Sequence, residues 1–395
     1  MTFRLASIKN IFNIEFGNKR IYGLDILRAL AIIIVLFSHG GTLVPVRIAD
    51  FQANFLIDGV FLFFVLSGYL IGGILIKTLE QKKATIKNLF NFWVRRWFRT
   101  IPNYFLILTI LIIIGFTLHG GIEGANPLQY FLFLQNFSYP HPQFFSEAWT
   151  LSVEEWFYLM IPVLLFILVG IFKMAPKKAI LTTVIAIVVA SITLRLCKYS
   201  LHPVMSVTEW DSNFRKEVIT RMDSLMFGVL GAYLTYYYKS LWVKHKAKLF
   251  LVGVGIVVVS QIVSIYIAQG SRITEAGYGL YLSVFSFTIV ALGIFLLLPL
   301  LSELKTGRGT IFRVLTIISI ISYSMYLIHV SLIQSFVFGL ITQGTTSHFL
   351  IIVRYGLYWI LTIGCSILLY KFFEKPTTNL RERIVRKRAA VEPLP

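Results

Sequence analysis

Apolar residues in this chain come in blocks of about twenty, and a helix of that length is what crossing roughly 30 Å of hydrocarbon requires. Ten such blocks can be read: Tyr22 to Thr42, Phe55 to Ile76, Thr100 to Leu118, Val153 to Phe172, Ala179 to Leu196, Val218 to Tyr238, Leu249 to Ala268, Ala276 to Leu301, Val314 to Leu340 and Phe349 to Tyr370. Of the 395 residues, 57% are apolar and only 14% charged, whereas soluble domains carry about a quarter charged residues. The pattern predicts an all-α polytopic membrane protein with about ten transmembrane helices. It excludes a disordered chain or a disulfide scaffold, since the two cysteines, Cys197 and Cys365, sit inside apolar runs.

The net charge of +19 follows from topology. Alternate connections place 28 Lys and Arg residues on one side of the membrane and six on the other. The positive-inside rule then puts both termini in the cytoplasm. Nucleic-acid binding is not needed to explain the charge. The first residues mix Phe3, Leu5, Ile8, Ile11 and Phe12 with basic side chains, which suits a helix lying at the interface. The expected division is an interfacial segment over 1–20, a transmembrane domain over 21–376 and a basic cytoplasmic tail over 377–395. No cleavable signal peptide, repeat or low-complexity tract is evident. The outer connection from His119 to Ser152 is unusually long, and its apolar middle, PLQYFLFLQNF, suits a stretch that dips back toward the bilayer.

Ionisable groups within spans are costly, so each is a site candidate. Arg28 and His39 lie in the first span, eleven residues apart. At 100° per residue they share one face, about 16 Å apart along the axis, with Arg28 in the inner half and His39 in the outer. A guanidinium suits an anion, and a neutral imidazole can take a proton from a hydroxyl. The bland reading pairs Arg28 with Asp25 and makes His39 a packing residue. At the mouth of the third span, Arg96 and Arg99 are one turn apart beside Arg95, Trp93 and Trp97. That spacing suits a multiply charged anion, with Trp97 available for stacking, although an Arg/Trp belt that only sets topology is common.

The fourth span opens AWTLSVEEW. Ser152 and Glu155 form an S-x-x-E capping box, while Glu154 lacks that explanation; both glutamates are expected at the level of His39. Arg221 and Asp223 open the sixth span, where an internal ion pair is the plain alternative to a substrate role. Tyr323, Tyr326 and His329 lie in the ninth span and Arg354 in the tenth. His119, His141, His202, His245 and His348 sit at span edges or in connections and carry no assigned role. No metal-ligand spacing, G-x-S-x-G elbow or phosphate-binding loop occurs, so no metal is expected.

Several of these elements, taken in order, resemble the membrane-bound acyltransferase family 3. They are Arg28 ten residues before His39, FFVLSGYLIGG from Phe63 to Gly73, Arg96-x-x-Arg99 followed by Pro102, LSVEEWFY from Leu151, RMDSLMFG from Arg221, ISYSMYLIH from Ile321, and FFEKP from Phe372 to Pro376. The resemblance implies an integral protein of the bacterial cytoplasmic (inner) membrane that moves an acyl group, usually acetyl, from cytoplasmic acyl-CoA to an extracytoplasmic glycan or lipid-linked glycan. It implies His39 as the essential histidine, Arg28 as its companion, and Arg96 and Arg99, with Trp97, as the donor grip. On this reading His39 acts as general base, Glu154 or Glu155 orients it, and Tyr323 is a candidate oxyanion donor. Arg221, Asp223, Trp149 and His329 are candidates for acceptor binding. Acyl transfer through His39 itself is the two-step variant. Surface polysaccharide such as O-antigen is the first acceptor class, before periplasmic glucan, peptidoglycan and small natural products. Some members carry a soluble hydrolase-like domain after the membrane domain; none is expected within the 19 residues after Pro376. A multi-span transporter or flippase is the competing class.

Overall fold

The computed structural model describes Ile14 and residues 20–45, 48–49, 52, 58–82, 84–118, 120–122, 124–270, 272–341 and 348–381. The expected interfacial helix over 1–20 and the tail beyond residue 381 lie almost wholly outside these residues. Among the described residues there is no strand. Ten main helices follow in order: α1 Tyr22–His39, α2 Gly59–Gln81, α3 Ile86–Leu118, α4 Ala148–Phe166, α5 Pro176–Leu201, α6 Met222–Tyr237, α7 Lys246–Gln269, α8 Gly277–Glu303, α9 Gly309–Ile328 and α10 His348–Leu369. Nine segments among the described residues are long and apolar enough to cross a membrane, and the chain is an integral membrane protein.

The exception is α6. It has 16 residues, about 24 Å of helix, and starts four residues later than its apolar pattern predicts. The reason lies in the long outer connection, which takes the preceding amides: Val218 N donates to Asn136 O at 3.0 Å and Ile219 N to Phe137 O at 3.3 Å. That connection folds inward as its composition suggests. Gln135, Asn136 and Phe145 are fully buried, and Asn136 Nδ2 bonds the carbonyls of Trp149 and Lys216. Helix α3 departs the other way. It begins at Ile86 and carries the Arg/Trp stretch through Pro102 into the span.

Helix α6 is the most enclosed element and packs along α2, with α5 and α8 on its other sides. Lipid tails supply no hydrophobic drive for helix association, so close backbone approach must hold such a pair. Gly68 and Gly228 provide it. A Cβ at Gly68 would lie 1.9 Å from Leu225 O, and one at Gly228 would lie 2.1 Å from Val65 O. At the periphery, Leu251, Val259 and Ile262 on α7 and Ile352 and Ile360 on α10 are exposed, an apolar surface suited to lipid.

Helices α1, α2 and α9 form the group that positions the site; α1 packs on both others. Substituting Gly68 by Val, which cannot fit at 1.9 Å without moving backbone, is expected to destabilise the α2–α6 pair by about 1–3 kcal/mol or more. Size-exclusion chromatography in detergent should show loss of the monodisperse species, whereas Gly73→Ala, where a Cβ meets nothing within 4 Å, should be tolerated.

Candidate active site

His39 closes α1 and is exposed to a cavity of about 350 Å³ that it lines with Asp58, Arg215 and Trp210. Its Nδ1 lies 2.8 Å from His329 Nε2. His329 is fully buried, and its Nδ1 lies 2.7 Å from Tyr326 O. A carbonyl only accepts, so His329 Nδ1 carries the proton, Nε2 of the neutral ring is an acceptor, and His39 Nδ1 must donate to it. This leaves the lone pair of His39 Nε2 unused. The pair is a base held in one tautomer.

The backbone of α9 makes this possible. A continuous α-helix would offer Tyr326 O to the amide of Val330. Here a wider, π-helical turn runs from His329 to Val337. The Val330 and Ser331 amides donate instead to Glu147 Oε1 at 2.8 and 2.7 Å, and the Ser331 hydroxyl donates to Glu147 Oε2. Burial pushes the Glu147 carboxyl up to about 7 against these bonds. Glu147 Oε1 is 3.9 Å from His329 Nδ1, so the second imidazole faces a carboxylate. Glu147 has no visible sequence signature, because it precedes the motif that contains Glu154 and Glu155.

The glutamates predicted to orient His39 are elsewhere. Helix α4 starts at Ala148, one turn before the expected cap, so Ser152 and Glu155 are interior and form no capping box. Glu155 accepts from Thr100 Oγ1 and Glu154 from Ser67 Oγ, both at 2.6 Å. Tyr323 is not beside His39 either; its hydroxyl donates to Thr100 O at 2.7 Å. Glu154 and Tyr323 line a second, narrow cavity of about 90 Å³ with Arg28, Arg96, Arg99 and Glu374. Val60 and Tyr326 also line this cavity, and they adjoin Gly59 and His329 of the His39 site.

At its other end the narrow cavity meets a third, of about 290 Å³; Arg28, Arg99, Ile320 and Glu374 line both. Asp25 does not neutralise Arg28, because Arg20 Nε donates to it at 2.9 Å, a second Arg20 nitrogen also bonds it, and Ser319 Oγ donates at 2.7 Å. Arg28 and Arg99 have no hydrogen-bond or ion-pair partner among the described residues. Arg96 donates to Tyr158 OH at 2.8 Å and stacks on that ring. Glu374, from the FFEKP stretch, accepts from Asn103 and Ser324. Trp97 lies flat on Trp93, which donates to Tyr158 O, and lines none of the three cavities.

Arg221 and Asp223 also line none of these three cavities. Asp223 pairs with Arg195, at 3.0 and 2.8 Å, and accepts from Thr288 at 2.6 Å. Arg195, near the outer end of the fifth apolar block, is a fully buried residue of α5. Arg221 is fully buried between Phe61 and Phe287, its guanidinium carbon 4.3 and 4.4 Å from the ring centroids. Trp149 is buried beneath Arg215, 4.9 Å from its ring.

Residues 21–371 match the acyltransferase family 3 model, described as an acyltransferase domain. The chain belongs to this family. It is 27% identical over 373 residues to the O-acetyltransferase OatA of Staphylococcus aureus, covering 90% of this chain and 56% of that protein. It is 29% identical over 167 residues to the peptidoglycan O-acetyltransferase OatA of Listeria monocytogenes, covering 39% of this chain and 25% of the relative. The chain thus spans about half the length of the first relative and aligns to a quarter of the second. No solved structure matches.

Within this family domain, Arg195→Ala is expected to destabilise the fold by about 3–5 kcal/mol, because it leaves Asp223 buried and unpaired. A thermal-denaturation series in detergent checks this, and the double change Arg195→Met with Asp223→Leu should recover much of the loss.

Proposed function

We propose that the protein is a membrane O-acyltransferase that moves an acyl group, acetyl first among candidates, from cytoplasmic acyl-CoA to a hydroxyl of an extracytoplasmic glycan. One observation carries this reading: unpaired Arg28 and Arg99 line two cavities that share them, and the cavity lined by His39 begins one residue along α2 from the narrow one, at Gly59 beside Val60. The arginine end suits the phosphates of coenzyme A, for which a planar guanidinium is a strong partner. The narrow middle suits a thin linear arm, and the His39 end suits the thioester and the incoming hydroxyl. The approximately 16 Å between Arg28 and His39 along α1 makes a long donor necessary. The distribution of Lys and Arg supports a basic mouth facing the cytoplasm, and the bacterial cytoplasmic membrane is what the family resemblance implies.

In the reaction, His39 Nε2 takes the proton of the acceptor hydroxyl as that oxygen attacks the thioester carbonyl. The resulting imidazolium keeps its Nδ1–H on His329, and its charge favours ionisation of the Glu147 carboxyl beyond it. Collapse of the adduct breaks the C–S bond, and the proton on Nε2 passes to the departing sulfur. The products are an ester and free coenzyme A. Glycan and acyl-CoA are both required at once in this scheme, so kinetics should show a ternary complex; ping-pong behaviour with a trapped acyl-His39 would replace it with the two-step route. Surface polysaccharide is the first acceptor class in this reading, and the name of the Listeria monocytogenes relative supports peptidoglycan as the alternative.

His39→Ala should insert and purify normally yet give no acylated glycan by mass spectrometry, and full acylation would remove His39 from the chemistry. His329→Ala should lower kcat by roughly 10²-fold, the scale of general-base catalysis, with little change in donor KM. Arg28→Ala and Arg99→Ala should act oppositely, raising the KM for acetyl-CoA roughly tenfold or more, as the loss of a charge-assisted contact implies.

A further inference from the structure

The reaction uses one edge of the 350 Å³ outer cavity, His39, and leaves the rest of its wall unexplained. The volume lies in the range of small-molecule sites. One carboxylate and one cation, Asp58 and Arg215, line this wall, and Asp211 and Lys216 behind them complete a chain of ion pairs with no net charge. Asp58 Oδ2 accepts from Arg215 Nε at 2.8 Å, Arg215 Nη1 donates to Asp211 Oδ1 at 2.7 Å, and Lys216 Nζ lies 2.6 Å from Asp211 Oδ2. Burial pushes the Asp58 carboxyl up, but Arg215 and the Val60 amide hold it below its ordinary value, so it is ionised and can only accept. The contrast with the basic mouth is sharp, because Arg28 and Arg99 are unpaired there.

Beside Ser38 and the Gln261 amide, the outer wall offers three hydrogen-bond acceptors. Among the described residues, Asp58 Oδ1 accepts only the Val60 amide, at 3.0 Å. Ser264 donates its proton to Ser260 O at 2.9 Å and keeps its lone pairs. His39 Nε2 is the third. Trp210 also lines the cavity and is held rigid, stacked on Phe287 at 5.8 Å with its indole N–H on Leu282 O. Acceptors without a spare cation suit a ligand that donates from several hydroxyls, and a fixed indole suits the apolar face of a ring.

We propose that this cavity is the acceptor subsite and that it takes an uncharged, hydroxyl-rich sugar ring, excluding rings with a free carboxylate or phosphate. The inference rests on the acyltransferase reading. A free carboxylate would face Asp58 at a wall whose cation, Arg215, is already paired with Asp58 and Asp211, and like charge opposite Asp58 is unfavourable. Asp58, Ser264 and Trp210 are then binding residues for the acceptor and not for the donor.

The experiment compares cells making wild-type protein, Ser264→Phe or Val259→Phe, the last a volume control on the exposed side of α7. Acetyl esters are located on isolated surface glycans by mass spectrometry, and stabilisation of each purified protein by coenzyme A is measured by thermal shift. The expected result is esters on uncharged rings, a more than tenfold loss with Ser264→Phe, wild-type levels with Val259→Phe, and coenzyme A stabilisation in all three. Esters on rings with a free carboxylate or phosphate would overturn the inference, as would wild-type acetylation by Ser264→Phe or loss of its coenzyme A response. Absence of any ester from wild-type cells, with coenzyme A still bound, would instead remove the acyltransferase reading and this inference with it.

Discussion

An ionised group taken into hydrocarbon must find a partner or face a water-filled cavity, and that constraint sorts nearly every charged side chain in this bundle. Arg195 has Asp223, Arg20 has Asp25, and Arg215 has Asp58 and Asp211. Arg221 lacks a hydrogen-bond partner for any of its three nitrogens and is instead sandwiched between two phenylalanine rings, a cation–π arrangement that strengthens with desolvation. Arg354 on α10 also has a buried Nε with no partner among the described residues, whereas Arg28 and Arg99, likewise without partners there, open onto cavities.

The same rule explains why the site is spread along the bundle. A single pocket that held both a phosphate grip and a general base would set cations against an imidazole that must take up a proton. Separation along α1 keeps the arginines at one end and the His39–His329 pair at the other. The tight α2–α6 packing at Gly68 and Gly228 supports this arrangement by holding Phe61, Phe64 and Ser67 of α2 against the cavities. The π-helical turn after Ile328 serves the other side, since it frees Tyr326 O for His329 and hands two amides to Glu147.

Much of this was legible in the amino-acid order. Block length predicted the helices, eleven-residue spacing put Arg28 and His39 on one face, and the one-turn spacing of Arg96 and Arg99 placed both on the same cavity wall. Local patterns misled where a nearer partner was only one of several. Asp25 looked like the mate of Arg28 and bonds Arg20; Asp223 looked like the mate of Arg221 and bonds Arg195. The S-x-x-E box looked like a helix start, but the helix begins a turn earlier, and Glu155 meets Thr100.

The sequence by itself determined the class of fold, the orientation expected from its basic residues, and which charged groups had to be accommodated in the membrane, because helix periodicity and transfer cost are local properties of the chain. Only the tertiary structure decided who partners whom. His39 and His329 are 290 positions apart and Glu147 meets Ser331 across 184, and no local rule ranks such distant choices. They are selected when helices pack and each buried donor must find an acceptor, so the tautomer of His39, the base of the proposed reaction, is a property of the assembled bundle.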